Sequence, residues 1–262
     1  MIMDYIVRHR KHFPFQRIEK LCRKYLGFYG NLNYEMAENG EGALLQALGK
    51  LELSEVFDVG ANVGDWALLA AQALPKAQIN CFEILPETAS LLKEKTSAQP
   101  RIHVNAFGLS DANGKISVRR YQGNNTLTTM IDYPHEAPHE VVEVQVITGD
   151  EYLDKNKITK VDFLKIDAEG SEELVLKGFR KALEAKQIQM IQFEYGQANI
   201  ITHFLLRDFY EWLGGLGYSI GKIYPNGTDF KDYAFADEDF LGPNYLAVLK
   251  ERTDLIEAAS RF

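Results

Sequence analysis

Five short segments carry the residue types that do chemistry. The first is Phe57-Asp58-Val59-Gly60-Ala61-Asn62-Val63-Gly64-Asp65, an acid followed by two glycines four residues apart. Glycine lets backbone turn tightly and approach a ligand with no Cβ in the way. The helix expected after Gly64 turns its free N–H groups toward the same place. The second is Glu83, about 20 residues further on at the end of Cys81-Phe82-Glu83, where an acid can accept hydrogen bonds from ribose hydroxyls. The third is Gly108-Leu109-Ser110-Asp111, whose Ser110 and Asp111 are either part of a purine pocket or ordinary turn chemistry.

The fourth segment, Phe163-Leu164-Lys165-Ile166-Asp167-Ala168-Glu169-Gly170-Ser171-Glu172, places acids just past an apolar run. In an open α/β sheet ligands bind beyond the carboxyl ends of strands, so Asp167 and Glu169 are candidate catalytic residues, able to take a proton from a hydroxyl. Glu172 and Glu173 suit the first turn of a helix on the dipole argument. The fifth, Phe193-Glu194-Tyr195-Gly196, brings Glu194 to the end of another strand. Three such carboxylates would also suit a hard cation, but no second ligand cluster accompanies them and no metal is expected. His203 stands alone and carries no assignment.

These segments need a frame of alternating strands and helices. Short apolar runs at 56–59, 79–82, 102–106, 161–166 and 188–193 alternate with helical periodicity at 66–74, 87–95, 172–183 and 204–213, the signature of βαβ units and a parallel sheet. Alternating patterns at 115–121 and 141–147 suggest two further strands, and 217–223 and 245–249 the last two, joined by a polar, aromatic-bearing loop. The polar stretch 122–140 reads as a long loop that could close over a site. Residues 1–50 read as a helical extension, 51–250 as the main domain and 251–262 as a tail or short helix.

Composition bounds the alternatives. With 262 residues and 46% hydrophobic content the chain can bury a core without staples. Its two cysteines, Cys22 and Cys81, form no framework, which suits a reducing, cytoplasmic setting. A net charge of −8 argues against nucleic acid as partner. The first 24 residues are basic, through Arg8, Arg10, Lys11, Arg17, Lys20, Arg23 and Lys24, which suits a solvated helix face or, less commonly, a membrane surface. No 18-residue apolar run exists, so no spanning helix is expected.

The glycine pattern is D-x-G-x-x-x-G, with Asn62 where a dinucleotide fold needs its middle glycine. That disfavours an NAD-dependent oxidoreductase and suits S-adenosyl-L-methionine, which has no phosphate and whose charged amino-acid end Asp58 could receive. A catalytically inactive cofactor-binding module is the other alternative, disfavoured by the full carboxylate set. Taken together, Asn39-Gly40-Glu41, Phe57–Gly64, Phe82-Glu83, Gly108–Asp111, Val144–Asp150 and Val161–Glu172 make the chain resemble the FkbM-type methyltransferases, from about residue 39 to 249. The run from Asp162 to Gly170 is the most specific mark.

The resemblance implies a Rossmann-like class I fold with a mostly parallel seven-stranded sheet and a reversed last strand. It also implies transfer of a methyl group from S-adenosyl-L-methionine to a hydroxyl of a sugar or other natural product, a small-molecule or glycan acceptor. Asp58, Gly60, Asn62, Gly64 and Glu83 would hold the cofactor, with Asp167 and Glu169 at the reaction centre. Two departures stand out: Gly149 where leucine is expected before Asp150, and Ser171 where a histidine often follows Glu-Gly. Ser171 cannot act as a base in a histidine's place.

Overall fold

A computed structural model describes residues 2–121 and 139–262. The expected loop 122–140 falls outside these residues except for its last two positions, which begin a strand. The chain opens with α1 (Ile2–Arg8), α2 (Phe13–Tyr29) and α3 (Glu41–Leu48). The alternating part follows as β1 (Glu55–Val59), α4 (Asp65–Ala73), β2 (Gln78–Phe82), α5 (Pro86–Lys95) and β3 (Ile102–Asn105). Next come β4 (Gly108–Leu109), β5 (Gly114–Tyr121), β6 (His139–Ile147) and α6 (Gly149–Asn156). The alternation resumes with β7 (Phe163–Ile166), α7 (Glu172–Gly178), α8 (Arg180–Glu184), β8 (Met190–Glu194), α9 (Ala198–Thr202) and α10 (Leu206–Gly215). It ends with β9 (Tyr218–Tyr224), β10 (Gly227–Phe230), β11 (Asn244–Leu249) and α11 (Thr253–Ser260).

The main sheet runs β10-β9-β11-β8-β7-β1-β2-β3. Strands β3, β2, β1, β7 and β8 are parallel, and β11 runs against both β8 and β9. These are the expected seven strands with the last reversed. An eighth, β10, pairs only with β9 across the Pro225-Asn226 turn; its polar Gly-Thr-Asp-Phe sequence hides an edge strand inside what reads as loop. Strands β4, β5 and β6 form a separate small sheet.

Two other differences have local causes. The helix expected over 172–183 divides at Phe179. Gly178 lies so close to the Ser110 carbonyl that a Cβ there would sit 2.1 Å from it. The Asp150 carboxylate takes the N–H groups of Lys181 and Ala182 and so starts a new helix. Helices α3 and α11 are not peripheral: Leu44, Leu45 and Leu48 share one core with Leu255 and Ala259.

Strand periodicity of two grades one sheet face from oil to charge. Val56, Phe163 and Met190 are fully buried in the core under α3, α4 and α11. Two residues later on the same strands stand Asp58, Lys165 and Gln192, direct cross-strand partners and all buried. Two residues beyond these come Gly60, Asp167 and Glu194, at the carboxyl ends. The site lies where this gradient ends.

Candidate functional site

The turn after β1 passes through three left-handed residues, Gly60 (φ 80°), Asn62 (φ 46°) and Gly64 (φ 89°). Gly60 packs so tightly on the neighbouring strand end that a Cβ would lie 1.8 Å from the Asp167 carbonyl oxygen. Only glycine permits that approach. The turn and the ends of β7 and β8 wall a cavity of about 730 Å³, within the range of small-molecule sites. Gly60, Asn62, Asp167, Glu169 and Glu194 line it together, with Trp66, Lys165 and Glu172 beside them. Asn39, Glu41 and Tyr34 close it from the N-terminal side, and Phe240 and Asn244 from the other.

Lys165 is the one cation in this lining among the described residues. Its ammonium lies 3.1 Å from Asp167 Oδ2 and 3.4 Å from Asp58 Oδ1. Burial pulls its pKa down, but the charges of Asp167 and Asp58 reverse this and raise it, so the buried charge is kept. Asp58 itself is fully buried, does not line the cavity, and has an Oδ2 with no partner among the described residues. Burial raises its pKa and Lys165 offsets part of the rise. The structure thus sets Asp58 behind Lys165 and not at the cavity wall, where the sequence reading put it.

The remaining carboxylates crowd one another. Burial and the charges of Asp167 and Glu172 push Glu169 up to about 8. Glu169 also adopts a left-handed backbone (φ 50°), unusual for a non-glycine residue. Burial pushes Glu172 up to about 7, although its Oε1 accepts N–H groups from Ala168 and Gly170 at 3.0 and 3.1 Å. Burial and the charges of Asp167, Glu169 and Glu172 raise Glu194 well above the usual carboxylate range. Glu41 is held between Gln192 Nε2 and Asn39 Nδ2, both at 2.7 Å. No group of His, Cys, Asp and Glu among the described residues is arranged to hold a metal ion.

Glu83 is buried and accepts the N–H groups of Asn62 and Leu85 at 2.9 Å each. It braces the glycine turn. Gly64, Glu83, Ser110 and Asp111 do not line the cavity. Ser110 is buried against Gly178, its hydroxyl donating to Asp111, which is exposed. Ser171 is buried, lies off the cavity and has a hydroxyl without a partner among the described residues. Gly149 has a packing reason: a Cβ there would meet the Phe179 ring at 2.3 Å.

Sequence reasoning did not single out Lys165, Gln192 or Asn244 as site residues, nor the inward turn of Glu172. Period-two counting back from Asp167 would have found Lys165 on the same face. Glu41 was marked only through the Asn39-Gly40-Glu41 segment.

Chains of similar sequence carry related descriptions. The hexuronic acid methyltransferase AglP of Haloferax volcanii is 29% identical over 145 residues, 54% of this chain and 56% of that protein. The 2-O-methyltransferase NoeI of Sinorhizobium fredii is 25% identical over 158 residues, 55% of this chain and 64% of that protein. The matched region thus spans less than two thirds of either relative. A solved O-methyltransferase from Bacillus cereus in complex with SAH overlaps 94% of this chain and 96% of its own, at 13% identity and a TM-score of 0.45. The family model described as the Methyltransferase FkbM domain matches residues 58–220, and the chain belongs to that family.

Proposed function

We propose that this chain transfers the methyl group of S-adenosyl-L-methionine to a hydroxyl oxygen of a sugar or other natural-product acceptor. One observation carries the reading: in a chain of this family, the glycine turn and the carboxylates Asp167, Glu169 and Glu194 line a single cavity. The descriptions of the two relatives as methyltransferases of hexuronic acid and of a 2-O position support it.

The residues present fit the donor. Asn62 Oδ1 and Trp66 Nε1, both of cavity-lining residues, have no partner among the described residues, and an unpaired buried polar atom is costly unless a ligand satisfies it. Gly60 and Asn62 would hold the donor at the turn, which Glu83 would brace from behind through the N–H of Asn62. Asp58 would act through Lys165, holding its charge in place. The bound donor supplies a methyl group already activated by its sulfonium.

What the chain adds is alignment of the acceptor oxygen, which contributes up to ~7–11 kcal/mol, and a proton acceptor worth roughly 10² to 10⁴ in rate. Glu169, with a pKa near 8, is our choice for that base. Tyr34 and Phe240 also line the cavity, where an acceptor would sit. The test is calorimetric titration with S-adenosyl-L-methionine, followed by release of S-adenosylhomocysteine over a panel of glycosides and polyols. Donor binding with acceptor-dependent release is expected. A chain that does not bind the donor would overturn the assignment.

A further inference from the structure

We infer that helix α2 docks this protein on the surface of an anionic lipid bilayer. The chain divides sharply by charge. Residues 1–34 hold seven Lys or Arg against two Asp or Glu, and the rest holds 22 against 35. A basic arm thus joins an acidic body.

Most of the arm is also exposed. Of the 17 residues of α2 only Gly27 is buried. At 100° per residue, Ile18, Leu21, Tyr25, Leu26, Phe28 and Tyr29 fall in one arc of roughly 160°. Leu21 is 68% and Tyr25 63% exposed. The opposite arc carries Arg17, Lys20, Arg23 and Lys24. A core helix would bury the first arc. A solvated helix would not build one.

The position of the cations points to lipid rather than to a second protein. Arg17 lies 4.4 Å from the ring centroid of Phe13, and Lys24 5.4 Å from that of Phe28. Both charges sit on the border of the apolar arc, where long side chains reach headgroup phosphates while the rings enter the acyl boundary. Tyr25, Tyr29 and Phe28 on the apolar arc suit that interface. Among the described residues no helix is long and apolar enough to cross a membrane, so the contact is peripheral.

The arm is fixed to the body at the mouth of the site. Asn31 Nδ2 donates to the carbonyls of Asn39 and Ile223 at 2.8 and 3.0 Å. Leu32, directly after it, and Tyr34 line the cavity. Docking through α2 would therefore hold the cavity rim close to the bilayer surface.

The experiment is co-sedimentation of the full chain with phosphatidylcholine vesicles, with and without added phosphatidylglycerol. Strong, salt-sensitive binding to the anionic vesicles alone is expected. Replacing Arg17→Gln and Lys24→Gln together should weaken it about 25-fold, or about fivefold per cation, the equivalent of ~1 kcal/mol each. Leu21→Ser with Tyr25→Ser should abolish it. Since these side chains are exposed, both variants should keep the parent's thermal unfolding. Failure to bind anionic vesicles at low salt would overturn the inference. So would binding that ignores the apolar pair. A lipid-free dimer that Leu21→Ser with Tyr25→Ser makes monomeric would assign the face to a second copy instead.

Discussion

Replacing Glu172 by glutamine should stabilise this protein in alkali and leave it nearly unchanged in acid. Glu172 is 2% exposed. Its neighbours in the site are Asp167, Glu169 and Glu194. Burial moves its pKa from 4.5 to about 7. The sign follows from which state holds the proton. Below pH 4.5 the group is protonated whether folded or unfolded, and nothing is lost. As pH rises toward and through 7, the unfolded chain ionises freely while the folded one must keep the proton or bury a charge. Stability therefore falls as pH rises, by ~3 kcal/mol in full at ~1.4 kcal/mol per unit. About 2 kcal/mol of this lies between about pH 5.5 and about pH 8.5. Glutamine retains an oxygen for the N–H groups of Ala168 and Gly170, which the carboxylate takes through Oε1 alone, and it cannot ionise. Urea denaturation of parent and Glu172→Gln at those two pH values is the assay. The advantage of the variant should grow by about 2 kcal/mol from the lower to the higher pH. An equal difference at both would refute the buried, proton-retaining Glu172.

Other consequences are equally direct. Glu169→Gln should lower kcat/KM by roughly 10² to 10⁴, and the parent's rise in kcat/KM through about pH 8 should vanish from the variant's profile. Lys165→Met strands Asp58 and Asp167 without their cation and should cost ~3–5 kcal/mol in denaturation; adding Asp58→Asn should recover part of it. Gly60→Ala forces a Cβ onto the Asp167 carbonyl and should prevent folding, as circular dichroism would report. Gly196→Ala, where a Cβ meets nothing within 4 Å, should change stability by less than about 0.5 kcal/mol.

The frame of this molecule was legible because its strands are buried on both faces and so read as plain apolar runs. The glycine turn was legible because Gly60 and Gly64 hold positive φ where a side chain is strained. Asp167, Glu169 and Glu194 were legible from their place just past strand ends. Less visible was anything set by strand register. That Asp58 faces Lys165 follows from Asp58 and Lys165 being direct partners across β1 and β7, a pairing that neither segment states alone. Glu172 read as a helix-start acid, and it does stand in the first turn of α7 beside Glu173. Only the loop turned back by Glu169 and Gly170, both at positive φ, aims Glu172 inward.

The cost of this arrangement says something about its purpose. A buried ion pair is weak support for stability, and apolar replacements often do as well. Here one ammonium is asked to balance acids on several sides, and Glu169, Glu172 and Glu194 respond by holding protons more tightly. A fold selected for stability alone would continue the Val56, Phe163, Met190 row to the strand ends. This one gives up that packing at the point where the sheet meets the cavity. What it gains is Glu169, a cavity-lining carboxyl held up to about 8, a range that would suit a general base. Lys165 offsets part of the rise at Glu169 and Glu194. Fixed by Asp58 from below, it sets how much negative charge the cavity can keep. Replacing Lys165 should therefore shift the protonation of Glu169 and Glu194 as well as stability.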